Sequence, residues 1–111
     1  MFKAITDKLS VSGQLKAENI ATAHDAGFGT IINNRPDRGA WRQPSSDKLA
    51  SVAAELNMKY FHIPITPGKM TGDQVQQFAK IIAESEKPVL AFCRTGNRSQ
   101  MLWKAHKKNA E

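Results

Sequence analysis

The run Val89-Leu90-Ala91-Phe92 constrains this chain most: four apolar residues without alternation, followed at once by CRTGNRS at 93–99. A strand with one face in water alternates apolar and polar residues. An unbroken apolar strand is covered on both faces, as in sheets with helices packed on each side. The segment 88–92 therefore predicts a central strand of an α/β fold.

The remaining segments fit that expectation. "LSVSG" (9–13) alternates and reads as a short strand, and Lys16 to Ala26 as a helix that Gly27 can end. "TIIN" (30–33) is a second strand, and 33–46 is a loop carrying two prolines and a glycine. Ser45 or Ser46 can cap the next helix, whose Leu49, Val52, Ala53 and Leu56 share one face. "KYFHI" (59–63) is a third strand, stopped by Pro64, and 66–70 is a turn. Thr71 and Gln74 have capping-box spacing ahead of the stripe Val75, Phe78, Ala79 and Ile82. A last helix is expected from about Ser99 to Lys108. The sum is one small α/β domain over 1–111, a parallel sheet of about four strands flanked by helices with right-handed crossovers. Ligands of such sheets bind beyond the carboxyl ends of the strands, the edge that receives loop 33–46, turn 64–70 and CRTGNRS.

Composition narrows the function. The formal charge is +6, yet no basic run is interleaved with aromatics, so we expect no nucleic-acid partner. The run 104–108 reads as a solvated helix end, and the excess charge suits a small anionic substrate. No stretch reaches the length of a membrane span, and the first ten residues lack the apolar centre of a signal peptide; a cytoplasmic protein is expected. The single cysteine excludes an internal disulfide and multi-thiolate metal sites. His24, His62 and His106 are scattered, so neither a metal nor a cofactor is expected.

The chemistry concentrates in CRTGNRS. A loop between a buried strand and a helix turns its backbone N–H groups inward at the helix N-terminus and makes an anion site. Gly96 permits the positive φ that closing the ring can require. Arg98 can hold an oxyanion through two parallel hydrogen bonds. Ser99 can cap the helix or donate to the cysteine sulfur. A thiolate at Cys93 would have a depressed pKa and be nucleophilic at neutral pH. Arg94, Thr95, Gly96, Asn97 and Ser99 complete the cradle. Arg35, Arg38 and Asp37 lie in the loop on the same edge: the arginines would widen the attracting field, and Asp37 is a candidate acid or a turn residue. Asp73 falls in a helical first turn, Trp41 could wall a pocket or meet a partner, and Trp103 reads as packing.

The motifs "LSVSGQL", "AGFGTIINNRPD", "QPSS", "YFHIPITPGKMT" and "PVLAFCRTGNRS" together resemble the phosphatase-like domain of the beta-lactamase-hydrolase-like proteins, from about residue 8 to 105. The resemblance implies a small dual-specificity/tyrosine-phosphatase-like fold with Cys93 as nucleophile and Arg98 as anion holder. Some relatives join this domain to a persulfide dioxygenase, which implies sulfide metabolism and a partner of that type. Three features depart from phosphatase practice. Four residues, not five, separate Cys93 from Arg98, and rhodaneses with such short loops handle sulfane sulfur. Phe92 stands where phosphatases usually have histidine. "HIPITPGKM" contains no carboxylate where a general acid is expected.

These departures make a rhodanese-type sulfurtransferase the leading expectation. Thiosulfate or a persulfide would load a Cys93 persulfide, discharged to an external acceptor with no protein acid required. The alternative is a cysteine-dependent phosphatase acting on a phosphate monoester through phosphocysteine, with Asp37 or Asp73 as acid. A second alternative is a non-catalytic module that senses anions or persulfides.

Overall fold

The computed structural model describes residues 2–37 and 41–110. Its elements are β1 (Lys3–Ala4), β2 (Leu9–Ser12), α1 (Ala17–Asp25), β3 (Thr30–Asn33), α2 (Ser46–Glu55), β4 (Lys59–His62), α3 (Gly72–Glu84), β5 (Val89–Phe92) and α4 (Asn97–Ala110). They form one sheet in the order β1-β2-β5-β3-β4. The chain is a small α/β domain, and the last strand enters the middle of the sheet, as its apolar composition requires.

The four expected parallel strands are present, and one short strand joins them. There are five, and β1 runs antiparallel to β2 while the others are parallel. β1 has two exposed residues, too few for any periodicity to register in the sequence. Its pairing depends on the tight turn that follows, where the Ile5 and Thr6 amides donate to the Leu9 carbonyl at 2.8 and 3.1 Å.

Both faces of β5 are covered. Val89 and Ala91 enter a core with Val75, Phe78 and Ile82 of α3 and Leu102 of α4. Leu90 and Phe92 enter a second core with Ile20 and Ala23 of α1 and Leu49 and Ala53 of α2. The helices begin largely where capping chemistry allows. Ser45 Oγ accepts the Lys48 N–H at 3.2 Å. Thr71 and Gln74 bond reciprocally at 3.2 and 3.0 Å, satisfying two amides that the helix leaves unpaired.

Register places the functional edge. Ser12 of β2 and Asn33 of β3 both stand opposite Phe92, the last residue of β5. The chain therefore leaves three adjacent strands at one level, at Gly13, Asn34 and Cys93. Among the described residues, no helix is long and apolar enough to cross a membrane.

Removing packing should cost far more than removing a cap. Phe78, wholly buried between sheet and helices, should lose about 3–5 kcal/mol as Phe78→Ala. Thr71→Ala should lose about 1 kcal/mol. Urea unfolding of both variants checks the ranking.

Candidate active site

Cys93 follows β5 directly, and its backbone is pinned between the flanking strands. Its N–H donates to the Ser12 carbonyl at 3.3 Å, and the Asn34 N–H donates to the Phe92 carbonyl at 2.8 Å. Gln14 N–H donates to the Arg94 carbonyl at 3.2 Å. Gly13 allows this approach, since a Cβ there would stand 3.0 Å from the Arg94 carbonyl oxygen. Gly96 turns the loop back at φ 93°, and a Cβ on it would meet the Ser12 carbonyl oxygen at 3.4 Å. The segment Ser12-Gly13-Gln14 thus forms the bed of the loop.

The Cys93 sulfur is buried, with the residue 1% exposed. The Gly96 N–H donates to Sγ at 3.1 Å. Burial pushes the thiol pKa up, but backbone N–H groups of Ser99, Thr95, Arg98 and Gly96 act against it and prevail, holding it below the ordinary thiol value. These donors belong to the loop and the first turn of α4, where the helix dipole also favours negative charge.

The other loop residues divide into buried and open. Ser99 Oγ donates to Asn34 Oδ1 at 2.7 Å, and Asn34 Nδ2 donates to the Ile63 carbonyl at 3.1 Å. This corrects two expectations for Ser99: its hydroxyl serves Asn34 rather than the sulfur, and α4 begins before it, at Asn97. The buried pair ties α4 to β3 and β4. Arg98 Nη1 donates to the Ile65 carbonyl at 2.9 Å, which lays its guanidinium along the segment after β4. Arg94, Thr95 and Asn97 are exposed.

Beside the loop lies a groove of about 480 Å³, lined by Ile65, Pro67, Gly68, Met70, Arg94, Thr95, Asn97, Arg98 and Met101. Among the described residues, its lining contains no carboxylate. Asp37 is engaged elsewhere: its Oδ1 accepts the Ser46 N–H at 2.8 Å at the start of α2. Asp73 lies in the first turn of α3, where it complements the dipole.

Arg35 is buried, 5% exposed. Its Nη1 donates to Gln14 Oε1 at 2.8 Å, its N–H donates to Asn33 Oδ1 at 2.8 Å, and its carbonyl lies 2.8 Å from His62 Nε2. Burial draws its guanidinium pKa down, and the charges of Arg98 and Arg94 add to that while Cys93 opposes it. His62, at the exposed end of β4, fixes the Arg35 backbone. Trp41 is 86% exposed, stacks under Arg42 at 4.4 Å and does not line the groove. Trp103 packs on the core as expected. Arg38 lies outside the described residues.

Sequence reasoning missed Gln14, Asn34 and Tyr60. Tyr60 Oη accepts from Asn33 Nδ2 at 3.0 Å and lies 2.9 Å from Ser46 Oγ, bracing the start of the long loop. The available signal was the pair Asn33-Asn34, two amides where an apolar strand would otherwise continue. Among the described residues, no group of three His, Cys, Asp or Glu side chains could hold a metal ion.

With this geometry in place, likeness to known proteins carries weight. Residues 1–110 match the family described as beta-lactamase hydrolase-like protein, phosphatase-like domain. The beta-lactamase hydrolase-like protein of Xylella fastidiosa is 31% identical over 99 residues, 89% of this chain and 23% of that protein. The chain thus spans about a quarter of the length of that curated relative. A crystal structure described as a "putative phosphatase" from Neisseria meningitidis superposes with TM-score 0.83 at 33% identity, covering 91% of this chain and 72% of that one. The structure of P. aeruginosa TpbA in complex with pTyr has TM-score 0.67 at 16% identity, covers 91% of this chain and 58% of that one, and shows the shared fold.

Two measurements follow from the loop geometry. The rate of Cys93 alkylation by iodoacetamide should rise with pH and level off at a lower pH than for a free thiol, because the fold stabilises the thiolate. Gly96→Ala forces a side chain into a positive-φ position and should cost about 1–3 kcal/mol. It should also move the alkylation midpoint upward as the amide leaves the sulfur.

Proposed function

The chain belongs to the phosphatase-like domain family of the beta-lactamase hydrolase-like proteins, and on that premise we propose that it is a cysteine-dependent phosphatase acting on phosphate monoesters with aryl leaving groups. The observation that carries this reading is the convergence of backbone N–H groups on the buried Cys93 sulfur. The thiolate attacks phosphorus, an S–P bond forms, and the ester P–O bond breaks with its electron pair going to the departing oxygen. The N–H groups and Arg98 hold the phosphoryl oxygens as charge shifts among them. Water then attacks phosphorus, releases inorganic phosphate and restores the thiolate.

The groove supports the choice of leaving group. Its lining offers no carboxylate to protonate a departing alkoxide, whereas an aryl oxide leaves with less help. Ile65, Pro67, Met70 and Met101 present apolar and thioether surface suited to an aromatic ring. A relative of the same fold binds pTyr. The sequence-based preference for sulfur transfer rested on loop length and on the missing acid; family membership and the solved phosphatase-like neighbours support its phosphatase alternative better.

A second reading remains because one observation favours it: only four residues separate Cys93 from Arg98. In sulfur transfer the thiolate attacks the outer sulfur of thiosulfate, the S–S bond breaks and sulfite leaves. A persulfide dioxygenase-type partner would belong to that reading.

Phosphate release from a phosphotyrosine peptide decides between them, run beside intact-protein mass after exposure to thiosulfate. Cys93→Ser should lower release by at least about 10³-fold, since the nucleophile itself is removed. Asp37→Asn should change it by less than about threefold, as its carboxylate serves α2. A gain of one sulfur on Cys93 without phosphate release would reverse the order of the two readings.

A further inference from the structure

Among the described residues, Arg35 is a buried cation with no carboxylate against it. Burying a guanidinium is costly unless negative charge opposes it. Among the described residues, its side chain makes one hydrogen bond, to the neutral Gln14 Oε1. The ion pairs among those residues, His24–Asp25 and Lys80–Glu84, do not involve it. Asp37, two positions on, gives Oδ1 to the Ser46 amide instead.

The position of the guanidinium follows from the sheet order. Arg35 lies just beyond β3 and Gln14 just beyond β2, the two strands that flank β5. Their hydrogen bond therefore carries the Arg35 side chain across the carboxyl end of β5, where Cys93 begins the loop. Gln14 is itself tied to the loop through the Arg94 carbonyl. Arg98 is drawn the other way, to the Ile65 carbonyl beside the groove. The charges of Arg98, Arg94 and Cys93 all reach Arg35. The arginine is also held at its backbone, by Asn33 and His62. A backbone fixed on both sides and a guanidinium bonded at its tip indicate a preorganised donor rather than a solvated surface cation.

We infer that Arg35 is a second anion-binding residue, set against Arg98 across Cys93, which makes the site select dianionic over monoanionic ligands. Arg98 and the ring of amides already draw an anion to the loop. A second guanidinium beside them adds an attraction that grows with the charge of the ligand, and so favours the second charge of a phosphate monoester. The inference rests on the phosphatase reading for its ligand, and it assigns no covalent step to Arg35.

Binding to Cys93→Ser protein tests it without turnover. Phenyl phosphate is a dianion at pH 8, and phenyl sulfate is a monoanion of the same shape. Calorimetric titration should give at least about tenfold tighter binding for phenyl phosphate, the scale of one added charge-assisted contact. Adding Arg35→Met should bring the two affinities to within about threefold of each other, and Arg35→Lys should keep most of the preference. Gln14→Ala, which releases the guanidinium and leaves its charge, should lower the preference too, and covers the case in which Arg35→Met fails to fold. Equal weakening of both ligands, or an unchanged ratio, overturns the inference, as does a Cys93→Ser protein with no preference. If neither ester binds, the phosphate reading fails separately. The same ratio for thiosulfate against thiocyanate then decides the role of Arg35.

Discussion

The structure turns on the placing of one sulfur atom at the end of the central strand, under backbone N–H groups that no side chain could replace. A thiolate taken out of water is unfavourable, and amides fixed by the start of a helix oppose that cost. They do so only while the loop stays closed. Closure depends in turn on Gly96 at positive φ and on Gly13, whose missing side chain lets the loop lie against β2. The register that ends β2, β3 and β5 at one level supplies the fixed frame.

The surroundings of that sulfur are asymmetric. On the side of α3 and α4, Arg98 and the apolar groove follow the segment after β4. On the side of β2 and β3, Gln14 and Arg35 form a polar bridge over β5, and His62 of β4 holds the Arg35 backbone. Between them, the buried Ser99–Asn34–Ile63 chain of hydrogen bonds locks α4 to the sheet, so the helix N-terminus cannot drift from the sulfur. The carboxylates that the edge does contain are engaged with helix starts. An acid-poor site of this kind suits reactions whose leaving group carries its own negative charge well. Aryl phosphates meet that condition, and so does thiosulfate.

Much of this was legible in residue order. The unbroken apolar run Val89–Phe92 identified the central strand, and the stripes of α2 and α3 gave their buried faces. Thr71 marked one helix start to the residue, and the choice of Ser45 or Ser46 marked another to within one. Cys93, Arg98 and the intervening loop stood out because a lone cysteine sat among arginines and a glycine just after a buried strand. β1 was not legible, because two exposed residues carry no period. The hydroxyl of Ser99 was misassigned, because sequence nearness to Cys93 suggested a partner that its direction in α4 does not reach.

The sequence by itself determined the described elements other than β1, the α/β class and the strand-to-helix loop that carries Cys93, since these rest on local physics: side-chain periodicity, caps, glycine conformations and the N–H groups of a strand-to-helix turn. Only the tertiary structure decided that Gln14 and Arg35 meet across β5, that Asn34 receives Ser99, and that Asp37 is engaged at α2 rather than free in the groove. Those pairings join residues far apart in the chain. They arise from a strand order in which the last strand enters between the second and third, and no local pattern of residues encodes that insertion.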